Sequence, residues 1–175
     1  LDVNGTLNVS GNITGMVGGL ASALLPTGAV LQVVHANYSS SYTVTDSYAS
    51  TGLSATITPK RSNSKIIILC SLNLLITNAK ANGSRTDCKI VSTLNNINTD
   101  IKEFKRVIYG SAGNNSDNVG CQSFISAEHS PNTTSDVSYT VHAIKRDTTT
   151  SFNYLNYGGS SDSGNSTMIL VEVAV

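Results

Sequence analysis

Three histidines, His35, His129 and His142, and three cysteines, Cys70, Cys88 and Cys121, are the side chains best suited to acid–base, nucleophilic or metal chemistry in this 175-residue chain. Their spacing assembles no such chemistry. Each histidine stands far from the others, in or beside a run that alternates like a β-strand, with no neighbouring nucleophile or orienting group. The odd number of cysteines and the lack of a C-x-x-C pair exclude zinc-ribbon and thioredoxin-type motifs. Cys70 lies in an apolar run and reads as a core thiol, while a disulfide between some two of the three stays open. G-x-S-x-G, H-E-x-x-H, G-x-x-x-x-G-K-[ST] and G-x-G-x-x-G are all absent. The expectation is a protein that is not an enzyme and needs no metal or organic cofactor. A histidine gains a role only if three copies of the chain bring it to a shared axis as a metal-binding ring.

Recognition chemistry is better represented. Two segments, Tyr109-Gly-Ser-Ala-Gly-Asn-Asn-Ser-Asp117 and Tyr154-Leu-Asn-Tyr-Gly-Gly-Ser-Ser-Asp-Ser-Gly-Asn165, set tyrosines among Asn, Asp, Ser and Gly. Aromatic faces pack on sugar rings, amides and carboxylates accept hydroxyl hydrogens, and small polar residues adapt around them. Tyr109, Asn114, Asp117, Tyr154, Tyr157 and Asp162 are the ligand-binding candidates. The charged cluster Lys102, Glu103, Lys105 and Arg106 is split across two faces by strand alternation and reads as a solvated edge strand. Asn-x-Ser/Thr triplets are numerous, but about half are expected by chance in a chain this rich in Asn, Ser and Thr, and Asn4, Asn8 and Asn12 fall in the opening repeat, where glycans would block the winding.

Composition narrows the classes further. Charged residues make up 13% of the chain, about half the usual ~25%, and the 11 basic residues balance the 11 acidic ones. That balance leaves no electrostatic footprint for nucleic acid or an anionic membrane. Near-zero net charge favours association. No run approaches 18 apolar residues, so no transmembrane helix is expected, and no signal-peptide pattern opens the chain. The start at Leu1 rather than Met leads us to expect a longer precursor or a fragment of a longer chain.

The elements that must position the candidates are strands. Residues 29–175 alternate in ten runs: Ala29–Asn37, Tyr42–Tyr48, Leu53–Thr58, Lys65–Thr77, Asp87–Leu94, Ile101–Tyr109, Val119–His129, Ser138–Arg146, Thr150–Tyr157 and Thr167–Val175. Many short strands without a convincing long helix predict an all-β sandwich head. Ahead of it, residues 15–28 read as a glycine-punctuated joint. Residues 1–14 form a six-residue repeat in which Leu1, Leu7 and Ile13 recur, as do Val3 with Val9 and Gly5 with Gly11. Two such units cannot bury their apolar face within one chain, so the segment predicts a shaft wound with other copies about a symmetry axis. The Lys65–Thr77 and Thr167–Val175 runs are apolar on both faces, which asks for a second cover beyond the core. Leu1, Val3, Leu7, Val9, Ile13, Met168 and Leu170 are the expected trimer interface. Glu172, on the same face as Met168 and Leu170, reads as a satisfied or rim carboxylate.

Several stretches carry a family resemblance. Thr27-Gly-Ala-Val-Leu-Gln-Val-Val-His-Ala36, Tyr48-Ala-Ser-Thr-Gly-Leu-Ser-Ala-Thr-Ile-Thr-Pro59 and Ser62-Asn-Ser-Lys-Ile-Ile-Ile-Leu69 resemble the C-terminal domain of tailed-phage fibre proteins, notably those of marine and cyanobacterial phages. The closing Met168-Ile-Leu-Val-Glu-Val-Ala174 is similar to that family's last strand, and the opening repeat resembles phage fibre shafts. The resemblance implies a homotrimeric virion appendage with a jelly-roll-like head. Such a protein would be assembled in the host cytoplasm and carried on the extracellular particle. Its N-terminal end would join other virion proteins, and its tip would meet a host surface glycan or protein. The alternatives are a head fibre, decoration or collar protein without receptor specificity, and a secreted C1q/TNF-like or lectin-like ligand.

Overall fold

The computed structural model describes residues 25–79, 83–110, 117–146, 152–157 and 164–175. The expected shaft, including Leu1, Val3, Leu7, Val9 and Ile13, and most of the joint lie outside the described residues. The described residues form ten strands and no helix: β1 (Val30–Tyr38), β2 (Tyr42–Thr43), β3 (Ala49–Ile57), β4 (Lys65–Ala79), β5 (Ser84–Leu94), β6 (Ile97–Gly110), β7 (Asp117–His129), β8 (Val137–Lys145), β9 (Phe152–Leu155) and β10 (Ser166–Val173). All pairings are antiparallel.

Two sheets pack face to face. One runs β1-β10-β4-β9-β2 with β7 on the other edge of β4; the second runs β3-β8-β5-β6. Alternation decides which side chains fill the space between them. From β3 come Leu53, Ala55 and Ile57, and from β8 Val137, Tyr139, Val141 and Ala143. The opposite layer is Ile66, Ile68, Cys70, Leu72, Leu74 and Ile76 of β4, with Met168 and Leu170 of β10 beside them. The Tyr139 hydroxyl, fully buried, is satisfied by His129 Nδ1 at 2.9 Å.

Strand β4 organises the first sheet. Its 15 residues span roughly 45 Å, longer than either partner on one of its edges. There β10 pairs with Lys65–Ser71 and β9 with Leu74–Thr77. Asn73 falls in the gap, and its backbone groups are satisfied from both sides: its N–H donates to Ser166 Oγ (3.0 Å), and its carbonyl accepts from Asn156 N–H (2.9 Å). Asn156 holds a left-handed backbone (φ 53°), donates Nδ2 to the Tyr38 carbonyl (2.6 Å), and accepts the Ser166 hydroxyl on Oδ1 (2.7 Å). Asn156 and Ser166 thus stitch β1, β4, β9 and β10 where the regular ladder is interrupted.

Three expected boundaries shift by four residues or more. Strand β3 begins at Ala49 rather than Leu53, because Gly52 does not end the strand but forms a bulge in it. At φ 89° it lies under the Tyr38 ring, which a Cβ would approach to 2.7 Å. Strand β6 begins at Ile97 because Asn95 and Asn96, both at positive φ, make a two-residue hairpin turn directly after β5. Of the Tyr42–Tyr48 run only Tyr42–Thr43 pairs as a strand.

Candidate functional site

The chain gives the sandwich two distinct ends. Leu25 lies at one, where its carbonyl accepts from Arg61 and Gly28 N–H bonds the Ala174 carbonyl. Strand β4 starts there at Lys65, opposite Val173, and runs to Ala79 at the far end. Asp117 pairs with Ala79 and Phe152 with Thr77, so both lie at the far end. Tyr109 does too, opposite Arg85 near the start of β5.

The outward face of the β4 sheet divides along this axis. Near the Leu25 end, register aligns Val33, Val171 and Ile67 in one row and His35, Ile169 and Leu69 in the next. The result is an aliphatic patch with Val33 58% and Leu69 39% exposed, flanked by a Lys65–Glu128 ion pair at 3.0 Å. Polar side chains follow: Thr167, Ser71, Asn73 and Gln122, with Gln122 Nε2 donating to Ser71 Oγ at 3.0 Å. Gly164 lies directly over the Asn73 side chain, leaving no room for a Cβ. Phe124, beside Ser71 on β7, is the most exposed large apolar side chain of the described residues.

Beyond the polar band the face turns aromatic. Phe152 and Tyr154 alternate outward on β9, with ring centroids 6.4 Å apart and planes 24° from parallel. Tyr157 tilts against Tyr154 at 4.6 Å and 47°. The inward residues anchor this strand: Asn153 Nδ2 donates to the Arg85 carbonyl and to Thr86 Oγ1 (3.0 and 2.9 Å), and Asn156 closes the stitch described above. The rings therefore stand on backbone held from within.

The sequence candidates separate accordingly. Tyr154 and Tyr157 come together, and Phe152 joins them, a residue the sequence reading missed although its i, i+2 spacing from Tyr154 marks the same face. Tyr109 belongs to the other sheet, where its ring covers Gly83 and the Arg106 guanidinium lies 5.5 Å from its centroid. Asp117 is at the far end by its backbone, whereas Asn114 and Asp162 lie outside the described residues.

One expectation is corrected. Met168 and Leu170 are not interface residues: both are fully buried in the chain's own core, beside Cys70 and Ile68. The outward side chains of β10 are Ile169, Val171 and Val173. Glu172 shares the inward face and is itself fully buried. Lys60 N–H (2.7 Å) and Arg61 N–H (3.1 Å) donate to its Oε1, and Gln32 Nε2 donates to Oε2 at 2.6 Å. Burial pushes its pKa up, but hydrogen bonds from Ser64, Lys60, Gln32 and Arg61 outweigh that and hold it below the usual value.

The remaining chemistry-bearing groups are dispersed. Cys70, Cys88 and Cys121 are all free thiols; burial pushes Cys70 and Cys88 up to about 12, which suppresses their thiolates. Among the described residues no three His, Cys, Asp or Glu side chains cluster as a metal site. Asp87, buried on β5, is held by Arg85 (3.4 Å), Arg146 (3.5 Å) and the Arg106 N–H (2.8 Å), and so fixes the bulge in β6. No known family model matches the chain, and no curated protein matches it.

Proposed function

We propose that this chain is the trimeric tip of a phage tail fibre, a structural virion protein that attaches the particle to its host. The observation that carries this reading is the aliphatic patch of Val33, Ile67, Leu69, Ile169 and Val171. It lies outside a core that the single chain already completes, so another copy is its natural cover. The opening repeat asks for the same partners. The strand order, β1-β10-β4-β7 facing β3-β8-β5-β6, supports reading the sandwich as a jelly roll, in which the chain passes repeatedly between the sheets. The patch lies toward the Leu25 end, the side from which the shaft would enter. The aromatic cluster lies toward the opposite end, which such a fibre presents to the cell.

The test has two parts. Sedimentation of the pure protein at micromolar concentration should give a trimer; a well-folded monomer would refute the assembly. Replacing Tyr154 and Tyr157 by Ala should then reduce adsorption of the particle to host cells with the trimer retained. Unchanged adsorption would leave a structural fibre without a receptor role.

A further inference from the structure

The fibre-tip reading leaves its ligand unnamed, and Phe152, Tyr154 and Tyr157 narrow it. We propose that these rings form a stacking platform for a neutral pyranose within a surface polysaccharide. The inference rests on the fibre reading for its biological setting, but on the geometry of β9 for its chemistry.

Phe152 is 51% and Tyr157 49% exposed, side by side with the partly buried Tyr154. Aromatic side chains bury roughly 150–250 Å² each when covered, so these half-covered rings offer on the order of 300 Å² together. A stable protein interface needs about 800 Å² on each partner. The platform is also cut off from the aliphatic patch by Ser71, Asn73, Gln122 and Gly164, so it does not extend that surface. A small, flat ligand fits this area; a second protein does not.

The surroundings select the ligand's charge. Thr43, Leu75 and Gly120 share the row of Tyr154, and Thr77 pairs with Phe152. Among the described residues no cation stands in these rows to balance a carboxylate or phosphate. The chemistry available is apolar ring faces, tyrosine hydroxyls and threonine hydroxyls. A pyranose supplies the complement, with C–H groups on one face to stack and hydroxyls around its edge to hydrogen-bond. The platform is preorganised as well, because Asn153 and Asn156 fix β9 from the inward side, so little ordering cost falls on binding.

Affinity electrophoresis of the full chain through gels containing dextran, mannan or galactan, with polygalacturonate as the acidic comparison, tests this. At least one neutral polysaccharide should retard the protein more strongly than polygalacturonate does. Phe152→Ala and Tyr157→Ala should weaken that retardation about tenfold each, the scale of losing one stacked ring face. Tyr157→Phe, which keeps the ring, should retain it, and Tyr109→Ala, on the other sheet, should leave it unchanged. Circular dichroism of each variant checks the fold, which these exposed rings do not hold together. Three binding results would overturn the proposal: retardation by polygalacturonate alone, none by any of the polymers, or neutral binding indifferent to Phe152 and Tyr157. Loss of the trimer in Phe152→Ala would also overturn it, making the rings a subunit contact. A trimer that adsorbs to cells but fails these tests keeps the fibre reading without the platform, whereas a monomer that passes them keeps the platform without the fibre.

Discussion

Asn156 offers the sharpest test of how this head is held together. Its side chain donates to the Tyr38 carbonyl (2.6 Å) and, at longer range, to the Ser40 carbonyl (3.4 Å), and accepts from the Ser166 hydroxyl (2.7 Å). Ser166 is fully buried, so truncating Asn156 leaves its hydroxyl proton without that acceptor, while its oxygen still accepts from Asn73 N–H, at a cost of about 1–3 kcal/mol, with about 1 kcal/mol more for the part-buried Tyr38 carbonyl. Asn156→Gly should therefore destabilise by ~2–4 kcal/mol, because glycine accepts the φ of 53° without strain. Asn156→Ala loses the same bonds and adds about 1 kcal/mol for a Cβ in the left-handed region. At about 2–4 °C per kcal/mol for a domain of this size, the Gly variant should melt about 10 °C lower and the Ala variant a few degrees lower still. Thermal unfolding by circular dichroism, at matched protein concentration, reads both. Midpoints within about 2 °C of the parent for both variants would refute the hydrogen-bond accounting. Equal losses for Gly and Ala would refute the backbone part alone.

Three further outcomes are expected. Leu69→Lys or Val171→Lys should convert the proposed trimer to a folded monomer in sedimentation, since these side chains face outward, whereas Met168→Lys should abolish folding because it buries an unpaired charge in the core. Deleting residues 1–14 should loosen the proposed trimer while leaving the β-rich circular dichroism of residues 29–175 intact; loss of that signal would refute the separation of the opening repeat from the sandwich. Stability should fall in acid. His129 (by burial) and His142 (by burial, then by Lys89) both have pKa values lowered from 6.5, so below that pH the unfolded chain takes up protons the folded chain resists. Glu172 is lowered from 4.5 and adds a second loss below that value. A thermal midpoint that stays flat from pH 7.5 to pH 4 would contradict these assignments.

Much of this fold was legible because period-two alternation is a local signal. Together with the apolar runs it located the strands, but it misplaced an end where Gly52 lies inside β3, where Asn95-Asn96 turns directly into β6, and where only Tyr42–Thr43 of a longer run pairs. Gly52 reads as a breaker until Tyr38, distant in sequence, is seen to occupy the space of its missing Cβ. Asn95-Asn96 is invisible as a turn until both residues adopt positive φ. The site was legible to the same depth. Tyr154 and Tyr157 are close in sequence and meet in space, whereas separating Tyr109 from them requires knowing that β6 and β9 belong to different sheets, which no local pattern encodes.

The reversed faces of β10 show where local pattern loses its power. Met168-x-Leu170 and Ile169-x-Val171 are equally apolar, so hydrophobicity does not distinguish the side facing the core from the side facing out. Glu172 does not mark the outer face either, although a carboxylate ordinarily lies on the wetter side; it is the satisfied carboxylate that the sequence allows. Here the turn of Lys60 and Arg61 folds back and supplies backbone N–H groups to that carboxylate, and a charge becomes compatible with the core side. Once Glu172 is placed inside, Ile169 and Val171 must lie outside, in register with Val33, Ile67 and Leu69. The satisfied acid and the uncovered aliphatic patch are thus two consequences of one choice of face. On the proposed assembly, a partner copy would then meet the odd-numbered residues of β10 instead of the even ones.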